Sequence, residues 1–193
     1  AGMQFSLLDG NGVRVTLTRG ADGTYRPDAQ GNANFTTDEN GQARILGLPQ
    51  GSYAIAESVH EGYAALDANS RFELTVRADV TITNEPLTLE ITKTDGYTGE
   101  AMLGVGFVLK DVQGARVTLR KNADGVYVFD RTAQGDALVT GADGKATVYY
   151  LPVGVYMLEE EMQDGYVQTE PVQVTVSAES GLSDPVRVRF VND

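Results

Sequence analysis

Residues 141–160 read GADGKATVYYLPVGVYMLEE. Asp143-Gly144 and Leu151-Pro152-Val153-Gly154 are turn signals, and the residues around them are rich in Val, Thr, Tyr and Leu. This is a pattern of short strands joined by tight turns. With a period of two, Tyr156, Leu158 and Glu160 share the apolar face of the strand after the second turn. A glutamate therefore stands where a core side chain belongs.

The stretch has a double in DENGQARILGLPQGSYAIAE, residues 38–57, at an offset of 103. Upstream, GVRVTLTRGADGTY (12–25) matches GARVTLRKNADGVY (114–127) at an offset of 102, and AGMQFSLLD (1–9) matches LGVGFVLKD (103–111). Both copies reach a Gly-Tyr pair, Gly62-Tyr63 and Gly165-Tyr166. Both are expected to close with a short strand ending in Asn, at Asn84 and Asn192. Two copies of one unit are expected, with domains at 1–85 and 86–193 and the boundary at Glu85-Pro86. The fold class is all-β: many short strands between turn dipeptides predict a sandwich or a barrel, not an α/β fold. No stretch holds a helical period over three turns. Asp28–Ala33 and Arg131–Gly135 are compatible with loops or a short helical turn.

Composition narrows the function. A formal net charge of −12 and a pI of about 4.4 argue against nucleic-acid or anionic-membrane partners, which call for basic patches. The sequence contains no cysteine and a single histidine, His60, so disulfides, thiolate zinc sites and imidazole clusters are not expected. No cofactor and no metal site is expected. No run approaches a membrane span, and Ala1 does not begin a signal peptide, so the chain reads as a mature fragment of a larger protein. Leu48-Pro49-Gln50-Gly51 occupies the turn position of Leu151–Gly154. Asp9–Gly12 and Asp38–Gly41 lack the spaced acidic set of a calcium loop and read as hairpin turns.

Two further strands carry a polar residue on the apolar face: Leu89, Ile91 and Lys93 share one face, and Val186, Val188, Phe190 and Asn192 another. A lysine buried among apolar side chains loses proton affinity, with a pKa that can fall to about 5–6, and its neutral amine is a nucleophile. A carboxylic acid in such surroundings shifts upward and stays protonated. It can donate to a carboxamide, polarise its carbon and pass a proton to the departing nitrogen. The expected product is a Lys93–Asn192 amide with release of ammonia, assisted by Glu160. The reaction runs once per molecule and needs no external substrate.

The segments TKTDGYTGEAMLGVGF (92–107) and DGKATVYYLPVGVYMLEE (143–160), the Gly-Tyr pair and the closing FVN (190–192) resemble CnaB-type domains. These are also called SpaA-like or prealbumin-like, and occur in sortase-anchored adhesins and pilins of Gram-positive bacteria. The resemblance covers essentially the whole chain and implies two tandem Ig-like, prealbumin-like β-sandwich domains. In that family a Lys on the first strand bonds an Asn on the last with help from a Glu, which implies Lys93, Asn192 and Glu160 here. The segments EMQDGY (161–166) and ESVHEGY (57–63) depart from the Ala-Pro that many members carry; neither residue is a reactant. The resemblance implies a structural stalk or spacer of a pilin or adhesin at the cell wall, outside the cell. The implied partners are the rest of the parent surface protein or pilus, and it implies no enzyme acting on external substrates. Lys93 and Asn192 lie at opposite ends of the second module, so tension entering near one and leaving near the other would pass through the bond. The alternative is a module that binds a host matrix protein or glycan through loops or strand edges.

The first domain is expected to lack its N-terminal strand. It keeps Glu57 beside Tyr53 and Ile55, and Asn84 beside Val80 and Ile82, but the match to Lys93 falls at 93 − 102 = −9, and no lysine precedes Lys93. Glu57 and Asn84 then form an incomplete site, and a neighbouring strand becomes an open edge. Truncation, a donor strand from another chain, and covalent capture of a lysine-bearing strand in trans are three ways to account for the gap.

Overall fold

The computed structural model describes residues 2–58, 60–64, 70–75, 77–167 and 169–192. The chain forms two compact units, Ala1–His60 with Leu66–Asn84, and Glu61–Ala65 with Glu85–Asp193. Among the described residues there is no helix; the described parts of both candidate helical segments are turns, bends and bridges.

Unit 1 holds β1 (Gln4–Asp9), β2 (Arg14–Val15), β3 (Leu17–Arg19), β4 (Tyr25–Pro27), β5 (Phe35–Thr36), β6 (Gly51–Glu57) and β7 (Ser70–Leu74). Unit 2 holds β8 (Thr88–Asp95), β9 (Gly106–Lys110), β10 (Leu119–Lys121), β11 (Tyr127–Phe129), β12 (Leu138–Val139), β13 (Lys145–Tyr149), β14 (Gly154–Glu160), β15 (Val172–Val176) and β16 (Val186–Asn192).

Unit 2 is a complete two-sheet sandwich. One sheet runs β10-β11-β13-β8-β16, the other β12-β9-β14-β15. β8 is a central strand, antiparallel to β13 with Leu89 opposite Val148, and parallel to β16 with Lys93 opposite Phe190. Alternation sends Leu89 and Ile91 of β8, Phe107 and Leu109 of β9, Leu158 of β14 and Val174 of β15 into one buried cluster. The intervening residues face out, and Glu90 there pairs with Arg187 at 3.1 Å. The Leu-Pro turns are closed alike in both copies: the Tyr156 hydroxyl donates to Pro152 O at 2.8 Å and that of Tyr53 to Pro49 O at 2.9 Å.

Unit 1 keeps one sheet intact, β2-β1-β6-β7 with β5 also on β1. Phe5, Leu7, Leu17, Tyr25, Phe35 and Tyr53 form its core. Of its second sheet only the β3-β4 hairpin forms among the described residues. The closing strand expected at 80–84 is absent: these residues have no ladder, and Val80 is exposed. The physical reason is pairing. Among the described residues, the closing strand β16 of unit 2 pairs in a ladder only with β8, and no strand takes the place of β8 in unit 1. The segment matching β13 fares little better. It keeps one isolated bridge, Tyr25 to Ile45, where β11 and β13 form a ladder. One missing strand costs both of its neighbours their regular structure.

Candidate crosslinking site

Lys93, Glu160 and Asn192 sit near the C-terminal ends of β8, β14 and β16. β8 and β16 are parallel neighbours and β14 lies in the facing sheet, so alternation aims all three side chains into the space between the sheets. They are buried to 0, 3 and 2% exposure, respectively. The rings of Phe107 and Phe190, opposite Glu160 and Lys93 in their ladders, pack at 5.0 Å and help keep the site dry.

One carboxyl oxygen connects the group. Glu160 Oε1 accepts from Asn192 Nδ2 at 2.8 Å and lies 3.8 Å from Lys93 Nζ. Lys93 Nζ donates to Thr94 O at 3.1 Å, and Thr169 Oγ1 donates to Glu160 Oε2 at 2.7 Å. Burial pushes the Lys93 amine below its ordinary value, opposed by the negative charges of Glu160 and Asp95. Asn192 Oδ1 is buried with no hydrogen-bond partner. An orphaned acceptor of this kind costs about 1–3 kcal/mol. The expected donation from the acid to the carboxamide runs the other way here, from Nδ2 to the acid. Turning the carboxamide over would exchange Nδ2 for Oδ1 and bring the orphaned oxygen to face Glu160.

Lys93 and Asn192 lie at one end of the sandwich, beside the same carboxyl group. This corrects the expectation that they occupy opposite ends: they are far apart in sequence, but parallel pairing of the first and last strands brings both to the same rim. The main chain there is held closely. Lys93 N–H donates to Gly144 O at 2.8 Å and Lys93 O accepts from Met102 N–H at 3.1 Å. Gly144 has φ +70°, and a Cβ on it would lie 2.5 Å from Lys93 O and 3.0 Å from Ala101 Cβ. Gly144→Ala should therefore destabilise the chain by about 1–3 kcal/mol, read as a lower denaturant midpoint with an unchanged m-value.

Unit 1 repeats part of this arrangement. Asn84 Nδ2 donates to Glu57 Oε1 at 2.7 Å, and Asn84 Oδ1 is buried without a hydrogen-bond partner. Burial raises the Glu57 carboxyl, against the hydrogen bond from Asn84. His60 has a structural contact of its own, accepting at Nε2 from Gln4 N–H at 3.1 Å. Thr169 was not singled out by sequence reasoning, since it follows the Gly-Tyr pair with no strand pattern around it. The signal was comparison of the copies: its match, 169 − 103 = 66, is Leu66, which has no hydroxyl.

The SpaA family, described as a prealbumin-like fold domain, matches twice, over residues 1–86 and 87–187. Comparison with curated proteins finds no match. Similar solved structures include the TIE protein of Bacillus anthracis, at 22% identity and a TM-score of 0.44, over 100% of this chain and 30% of that one. The minor pilin GBS52 of Streptococcus agalactiae shows 20% identity and a TM-score of 0.45, over 99% of this chain and 82% of that one. A streptococcal ancillary pilin shows 27% identity and a TM-score of 0.40, over 100% and 57%. The chain thus spans less than a third of the first of these proteins and just over half of the third.

Proposed function

The chain belongs to the SpaA family of prealbumin-like fold domains, and from that premise we propose that it is a structural segment of a pilus or adhesin stalk. Its place is the outer surface of a Gram-positive cell, joined to the rest of the parent protein. Unit 2 is locked by an amide between Lys93 and Asn192. The observation that carries this reading is a single buried oxygen, Glu160 Oε1, within 2.8 Å of the Asn192 nitrogen and 3.8 Å of the Lys93 amine.

The chemistry follows from the burial. The uncharged Nζ attacks Cγ of Asn192, the Cγ–Nδ2 bond breaks, and Nδ2 leaves as ammonia carrying a proton first held on Nζ. Glu160 moves that proton and stabilises the oxygen as charge develops on it. One amine and one carboxamide give one secondary amide and one ammonia. The process is a single self-modification, without turnover and without a cofactor.

A covalent tie here changes how load is borne. Force applied at Pro86 runs along β8 to Lys93, crosses the new amide to Asn192 and leaves the module, so residues 94–191 carry none of it. Kinetic resistance of this sort suits a stalk more than added equilibrium stability does. Intact mass tests the reading directly. The purified chain should weigh one ammonia less than its sequence; the full sequence mass would rule the bond out.

A further inference from the structure

We infer that Thr169 is a positioning residue for the Lys93–Asn192 reaction, its hydroxyl holding one oxygen of Glu160 so that the other faces the amine and the carboxamide. The inference rests on the crosslinking reading above.

The two oxygens of Glu160 have different surroundings. Oε2 accepts from Thr169 Oγ1 at 2.7 Å; Oε1 meets Asn192 Nδ2 at 2.8 Å and Lys93 Nζ at 3.8 Å. The last torsion of a glutamate is broad and roughly two-fold, so the backbone and χ1 do not decide where its carboxyl plane points. A hydroxyl bonded to one oxygen favours one of the two settings. The side chain of Glu160 is 1% exposed, which leaves bulk water no path to act as a substitute donor. Because the threonine O–H donates, Oε2 is engaged as an acceptor. Oε1 is left facing the two reacting groups, the carboxamide and the amine.

Thr169 is itself well placed to hold a fixed position. It follows Gly165-Tyr166, and the Tyr166 hydroxyl donates to Asp95 Oδ2 at 2.8 Å. Asp95 lies opposite Asn192 in the β8–β16 ladder, and Gly96 N–H donates to Asn192 O at 2.6 Å. The segment bearing Thr169 is thus fastened on one side to the strand end that presents the acceptor and on the other to the acid. Leu66 at the matching position of the first repeat has no hydroxyl to offer.

The test follows bond formation in time on the full chain made by cell-free synthesis, quenched in acid and weighed intact. Thr169→Val keeps the shape and removes the hydroxyl; Thr169→Ser keeps the hydroxyl and removes the methyl. Losing a buried hydrogen bond that orients the acid should slow ammonia loss by about tenfold or more in Thr169→Val. Thr169→Ser should stay within about threefold of wild type. A role in packing alone predicts the reverse order, because only the serine variant creates a void. Wild-type speed in Thr169→Val, or equal slowing in both variants, overturns the inference and leaves the crosslink standing. Absence of ammonia loss from the wild type overturns both.

Discussion

Lys93→Met leaves the chain at its full sequence mass and lowers the melting temperature of unit 2 by on the order of 20–40 °C. The estimate starts from the loop that the amide closes. Constraining about 100 residues in the unfolded chain is worth about 4.7 kcal/mol in the loop-entropy account, and each kcal/mol moves a domain of this size by about 4–8 °C. Methionine preserves the length and apolar stem of the lysine, so the loss reports the bond and not a cavity. Asn192→Ala should also keep the full mass, but its stability should differ in pH dependence. It retains the buried amine, whose proton affinity burial depresses below the ordinary 10.5. Between that depressed value and 10.5 the unfolded chain binds more protons than the folded one, so stability rises with pH across that window. Lys93→Met has no such amine and should lack this rise. Calorimetry on the two variants from neutral pH to pH about 10 checks the sign. A parallel response in both would mean that Lys93 is not a buried neutral base.

The second large effect concerns unit 1. Glu57 and Asn84 share the hydrogen bond seen between Glu160 and Asn192, and both asparagines leave Oδ1 buried and unpartnered. By the chemistry proposed for unit 2, unit 1 wants a strand of alternating apolar residues that ends in a lysine. The peptide TLEITKTDGYTGE, residues 88–100, has that pattern. Mixed with the chain, it should give a gel-stable adduct weighing the sum of both minus one ammonia, with the branch at Asn84. Asn84→Ala should give none, nor should a peptide with alanine for the lysine. An unchanged gel with the intact pair would mean that unit 1 does not accept a strand in this way. In a longer chain the same strand could be supplied from outside these 193 residues, and the chemistry would be identical.

Much of the fold was legible because its signals are local. Alternation over five to eight residues put Lys93, Glu160 and Asn192 on apolar faces before any pairing was known, and the internal match gave two modules. What stayed hidden depends on partners distant in sequence. Val80, Ile82 and Asn84 have a strand's pattern, yet form none, since a strand exists only as half of a ladder. The nearness of Lys93 and Asn192 within one rim required the parallel pairing of β8 and β16, which no local pattern specifies. The membership of Glu61–Ala65 in unit 2 was equally invisible, because no local pattern in EGYAA says which core it joins. Thr169 was missed for a different reason: its role is one hydrogen bond from an irregular segment, and irregular segments carry no period to read.

The side-by-side course of β8 and β16 has a topological consequence. Once Nζ of Lys93 is joined to Asn192, the backbone between them is a closed ring. A proteolytic machine that threads substrates through a pore by one end could draw in the chain leading to the ring, but would then meet two strands at once. Cutting any single peptide bond inside the ring would open it without releasing either piece. Removing any piece of the ring would need two cuts within it, and the fragment left behind would be branched.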